Sequence, residues 1–149
     1  MNPDFLKVIS ASEQDRQGLF LVTANRLGTP IQNVEKDFWV TWTLDLLFNG
    51  RQENEPRFLF KGGTSLSKAY GLISRFSEDI DITVFREEIG QHIEIENLEG
   101  LSGKKQRELL NEIKEACQSY IQGALLNRLN AQIREVFDRA GIACSLSNC

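Results

Sequence analysis

Between Phe58 and Phe85 the chain reads FLFKGGTSLSKAYGLISRFSEDIDITVF, and this stretch constrains the fold more than any other. Phe58, Leu59 and Phe60 form an apolar run closed by Lys61 and the Gly62-Gly63 pair, the pattern of a buried strand ending in a turn that needs permissive backbone angles. Thr64 or Ser65 can then cap a helix running through Leu66, Lys68, Ala69 and Tyr70 to a stop at Gly71. Beyond Arg75, the β-branched run from Asp79 to Phe85 reads as a second strand. Successive strand side chains alternate faces, so Asp79 and Asp81 share one side while Ile80, Ile82 and Val84 share the other.

Two carboxylates so close raise each other's proton affinity unless a cation lies between them. Magnesium meets that need, taking a few carboxylate oxygens together with water and substrate phosphates, and a pair of such ions can clamp both the attacking and the leaving oxygen of a phosphoryl displacement. A Gly-Gly turn ahead of a helix offers backbone N–H groups and a positive dipole end to a triphosphate. Taken singly, a GG-T/S turn is more often a tight connection, and D-x-D is common on exposed strands. The two at strand ends that can be neighbours in one sheet form a more specific pattern, and together they describe nucleotidyl transfer.

The segments Lys61 to Lys68 (KGGTSLSK) and Arg75 to Ile82 (RFSEDIDI), with Val34 to Val40 (VEKDFWV) upstream, resemble the AbiEii/AbiGii nucleotidyltransferase-like toxins, a branch of the polymerase-beta-like superfamily. The resemblance covers roughly the first hundred residues with specific motifs and continues less distinctively in the helical tail. It implies a nucleoside triphosphate donor, phosphate contacts at Gly62, Gly63, Thr64 and Ser65, and Asp79 and Asp81 as catalytic carboxylates holding one or two Mg2+ ions. Lys68 or Arg75 would neutralise phosphate charge; the plainer roles are an exposed helix charge for Lys68 and a loop arginine covering helix carbonyls for Arg75. The resemblance further implies a toxin of a two-gene toxin–antitoxin, abortive-infection system, with a cognate antitoxin and an RNA or protein acceptor. One departure stands out: the K-D-x-x-D-like segment that supplies a further lysine and aspartate in such proteins has no match after Phe85.

With 149 residues, a net charge of −4 and 41% hydrophobic residues, the chain fits one domain with a real core. The expected fold is α+β: a small mixed β-sheet flanked by helices, a polymerase-beta-like nucleotidyltransferase core and a long helical C-terminal segment. Within that single domain, 1–57 holds N-terminal helices, 58–85 the strand-turn-helix-strand and 102–140 the helical segment. No long apolar run or charged-then-apolar leader occurs, so a membrane span or secretory signal is not expected and the cytoplasm is the default location. Cys117, Cys144 and Cys149 lack metal spacing and read as free thiols. Mild acidity means that a nucleic-acid partner would be held by local basic groups.

Ser12, with Glu13 and Asp15 in the first turn, opens a helix whose apolar residues Leu19, Phe20, Val22 and Leu27 lead to a stop at Gly28. Asn33 is placed to cap the next helix, with Glu35 and Asp37 in a dipole-favoured first turn and a core stripe of Phe38, Trp39, Trp42, Leu46 and Leu47. Met1 to Ile9 is too short to classify. Arg86 to Gly100 is a loop or short strand, and His92, without another histidine, receives no role. From Ser102 to Arg139 apolar residues recur every three or four positions, which predicts a helix broken or bent near Gly123. Lys104, Lys105 and Arg107 make a basic start that is read as solvated surface ahead of RNA contact. Ile142 to Leu146 alternates like a strand but carries no acid, and Asp138 falls on the polar side of its helix. The chain is therefore expected to be the N-terminal part of a longer protein, with weak or absent turnover alone and some tendency to self-associate through an unpaired strand edge. The competing expectation is a non-catalytic module that holds a nucleotide or a partner protein.

Overall fold

The computed structural model describes residues 2–68, 79–92 and 100–142. Three helices lead the chain: α1 (Pro3–Ser10), α2 (Glu13–Leu27) and α3 (Ile31–Phe48). Strand β1 (Phe58–Lys61) passes directly into helix α4 (Gly62–Lys68), and β2 (Asp81–Val84) is followed by a 3-10 turn over Arg86–Ile89. Helix α5 (Gly103–Tyr120), a π turn (Ile121–Leu125) and helix α6 (Leu126–Ala140) complete the described chain.

Local chemistry sets most of these boundaries. Ser12 Oγ accepts the Asp15 N–H at 3.1 Å, and Gly28 closes α2 at φ 64°, a left-handed angle that glycine adopts without strain. The residues before Ser10, unclassifiable by pattern, form a helix because Asn2 Oδ1 caps the Asp4 N–H at 3.0 Å and Pro3 sits in the first turn. Helix α3 starts earlier than Asn33: Pro30 leads into it without a side-chain cap. Glu35 and Asp37 consequently lie beyond the first turn, and the Asn33 amide donates to Thr29 Oγ1 at 3.3 Å. The break foreseen near Gly123 is the π turn, a local widening of the helical ladder between the two helices.

The core gathers distant parts of the chain. Ile9, Trp42, Leu46 and Val136 are buried together, with Phe5, Phe38, Trp39, Leu129, Ile133 and Phe137 packed around them. Trp42 stacks on Phe137 at 6.1 Å between ring centroids, so both tryptophans do belong to the core region. Helix α2 departs from its expected apolar stripe. Only its Phe20 and Ala24, one turn apart, are buried, while Leu19, Val22 and Leu27 remain 48%, 67% and 67% exposed.

Arg128 locks α6 to the end of α3. Its guanidinium donates to the Leu46 carbonyl at 2.8 Å and the Leu47 carbonyl at 3.4 Å, while Nε lies 3.0 Å from Glu55 Oε2. Gln132 adds a bond to the Gly50 carbonyl at 2.8 Å. Four carbonyls at a helix C-terminus lack intrahelical partners, and the arginine answers that need for α3 from another helix.

The sheet among the described residues is two-stranded and antiparallel, where a mixed sheet was expected: Phe58 faces Val84, and Lys61 faces Asp81. The chain leaves β1 and enters β2 at the same end, which dictates that direction. β1 is buried on one face only. Phe58 and Phe60 pack on Phe48 of α3, whereas Leu59 and Lys61 face outward. The far end of the hairpin is closed by Arg57, which pairs with Glu88, donates its backbone N–H to Glu88 Oε2 at 2.6 Å and lies 4.9 Å over the Phe85 ring. The Arg57 backbone bond is the main cause holding the Glu88 carboxyl below the ordinary glutamate value, and the guanidinium adds to it.

Candidate active site

The sheet register brings the two halves of the sequence motif together. Lys61 and Asp81 are cross-strand partners, so both side chains project from the outward face, opposite the one that Phe58 and Phe60 pack against α3. Asp81 opens β2, so the strand is shorter than the Asp79 to Phe85 run expected from the sequence; Asp79 and Ile80 precede it, with Asp79 and Asp81 exposed and Ile80 half-buried.

The turn and the second strand touch at two points. Gly62 has φ 72°, and a Cβ built there would collide with the Asp81 carboxylate, lying 2.9 Å from its Cγ. The left-handed angle favours glycine here, and any larger residue would also have to push the Asp81 carboxylate away from the turn. Two residues on, the Thr64 hydroxyl donates to the Asp79 carbonyl. Thr64 and Ser65 are both buried inside α4, which begins at Gly62, so neither caps the helix from outside as expected. Thr64 instead ties the turn to the start of β2, and its hydroxyl proton is directed at the protein backbone.

Lys68 is also engaged. Its ammonium pairs with Asp37 and donates to Thr41 Oγ1 at 3.2 Å, both on α3. Sequence reading missed this link, because Asp37 looked like first-turn dipole stabilisation and nothing in local spacing joins it to Lys68. Arg75, the helix end at Ala69 to Gly71, the Ile93 and Ile95 alternation, and Cys144, Cys149 and the strand expected through Leu146 lie outside the described residues. His92 is exposed.

Two exposed carboxylates, Asp81 at the start of β2 against the glycine turn and Asp79 two residues before it, fit a small hard cation that takes few protein oxygens and keeps its waters. Among the described residues no group of three or more His, Cys, Asp or Glu side chains gathers around them. A cavity of about 450 Å³ lined by Phe5, Thr41, Asp45, Phe48 and Phe60 lies on the α3 face of β1, behind the outward carboxylates.

A family model described as the nucleotidyl transferase AbiEii toxin of type IV toxin–antitoxin systems matches residues 45–145, more than half of the chain. The chain belongs to the AbiEii toxin family. The match spans the Gly-Gly turn, both aspartates and the long helical segment, and so reaches further into α5 and α6 than the motifs alone indicated. Helices α1 and α2 and most of α3, including Val34 to Val40 and therefore Asp37, precede the AbiEii match. No curated protein and no solved structure gives a match to the chain. Among the described residues no helix is long and apolar enough to cross a membrane.

Proposed function

We propose that this AbiEii-family chain transfers a nucleoside monophosphate from a nucleoside triphosphate to a hydroxyl of an RNA or protein acceptor in the cytoplasm, as a toxin restrained by a cognate antitoxin protein. The observation that carries the reading is the packing of the Asp81 carboxylate directly on the Gly62 backbone, which joins an anion-accepting turn to a cation-holding acid. Asp79 and Asp81 would hold one or two magnesium ions, which neutralise phosphate charge and lower the pKa of an attacking hydroxyl.

The protein's own groups do the rest by placement. The turn at Gly62 and Gly63 presents backbone to the triphosphate with no Cβ at Gly62, and the Thr64 bond to the Asp79 carbonyl holds strand and turn in one unit. An acceptor hydroxyl aligned with the α-phosphorus then forms the new P–O bond as pyrophosphate leaves on the opposite side. Rate enhancement comes from holding the reactants in line.

The test is label transfer from each α-labelled ribonucleoside triphosphate, with magnesium, to total cellular RNA and protein. Transfer by the native chain is expected to be weak, since no third carboxylate is matched, and to disappear in Asp79→Asn and Asp81→Asn, with far-UV circular dichroism unchanged. Magnesium-dependent triphosphate binding that needs Asp81 but yields no transfer would identify a nucleotide-holding module. Equal binding in the native chain and both variants would overturn the site.

A further inference from the structure

Helix α4 carries the turn and packs chiefly on β1 and β2. Lys68, the last described residue of α4, reaches out of that unit to α3, where its ammonium meets the Asp37 carboxylate and the Thr41 hydroxyl. Asp37 and Thr41 are four residues apart on one helix and share a face. The Thr41 hydroxyl in turn donates to the Asp37 carbonyl at 2.7 Å, which closes the polar link on itself. The Lys68 side chain is 17% exposed and that of Asp37 54%, so the lysine is drawn in towards α3 and withdrawn from solvent. An ammonium with two of its three donors so directed, on a largely covered stem, is poorly placed to reach for a phosphate.

We infer that Asp37 and Thr41 are positioning residues for the triphosphate turn: they hold Lys68, and Lys68 fixes α4 and the Gly62 backbone against α3. Lys68 is then an anchor and the phosphate contacts fall to the turn. The inference rests on reading the Gly62-Gly63 turn as the triphosphate site. Its benefit is preorganisation, because a turn already held in place loses little freedom when the ligand arrives. It also assigns a role to α3 residues ahead of the family match.

Two measurements on the full chain test it. Amide hydrogen exchange of residues 62–68 is followed without nucleotide, and binding of each ribonucleoside triphosphate is followed with magnesium, in Asp37→Asn, Lys68→Met, their combination and Asp37→Glu. Loss of a charge-assisted hydrogen bond is expected to speed exchange over 62–68 about tenfold and weaken triphosphate binding about tenfold in either single variant. The double variant is expected to be no worse than the singles, since both remove one interaction, and Asp37→Glu is expected to recover most of the loss. Exchange over 42–47 should be unaltered. A direct phosphate contact by Lys68 predicts the opposite for Asp37→Asn, with binding unchanged or tighter once the ammonium is released, and that result overturns the inference. So does unaltered exchange over 62–68. Should the native chain bind no triphosphate, the functional reading falls, and the exchange result alone upholds or overturns the anchor.

Discussion

Replacing Arg128 by alanine is expected to be among the most damaging single changes available in α6. The side chain is 7% exposed and its partner Glu55 17%, so the pair is largely removed from water. Truncation leaves a half-enclosed carboxylate without its cation and strips the Leu46 and Leu47 carbonyls of their donor. Breaking a buried pair from one side costs about 3–5 kcal/mol. With a urea m-value near 2 kcal/mol/M, that moves the unfolding midpoint down by about 2 M. Glu55→Gln should cost less, because Arg128 keeps both carbonyls and its 3.1 Å bond to Gln132 Oε1. Arg139→Gln supplies the control: its 2.6 Å contact with Glu135 lies on the surface, 60% and 59% exposed, and such pairs are worth about 1 kcal/mol or less. Urea melts followed by circular dichroism compare the three. An Arg128→Ala midpoint within the scatter of Arg139→Gln would refute the claim that this guanidinium secures the end of α3.

Gly62→Ala forces a left-handed angle on an L-residue, at about 1–2 kcal/mol, and drives a methyl group into the Asp81 carboxylate; thermal melting should show the modest loss, while magnesium-dependent triphosphate binding should fall much further, and full binding would show that the turn and Asp81 do not act together. The Glu88 carboxyl lies below its ordinary 4.5 because of Arg57, so its contribution is present above that unfolded value and is lost as pH falls through the lower folded one. Acid titration by NMR should find that midpoint below 4.5, and Arg57→Gln, which removes the guanidinium but keeps the backbone N–H bond, should raise it only part of the way.

Features fixed by neighbouring residues were readable from the sequence. The Ser12 cap, the Gly28 stop and the disturbance around Gly123 each depend on a few adjacent side chains and came out as expected, whereas the second strand begins at Asp81 rather than Asp79. The start of α3 did not, since Asn33 is a good capping residue but Pro30 already directs the chain into the helix three positions earlier. Helix α2 misled for another reason: it is apolar on more than one side, and periodicity cannot say which side meets α3. The ties of Arg128 to Glu55 and of Lys68 to Asp37 join residues far apart in sequence, so charge type alone gave no indication of either. Where the turn meets Asp81 was legible as adjacency, whereas the left-handed angle at Gly62 and the seating of the Asp81 carboxylate against it emerged only from the fold.

The shared core of Ile9, Trp42 and Val136 has a consequence for the order in which this protein matures on the ribosome. The candidate site, from α3 through β2, emerges before the helix that secures it, because Arg128 and Val136 are translated later. Domains generally fold as units once their parts are available. During synthesis α3 therefore waits with its last carbonyls uncovered and Trp42 without its stacking partner Phe137. A nascent chain of this kind carries its carboxylates and its glycine turn before the helix that packs on the end of α3 has been made.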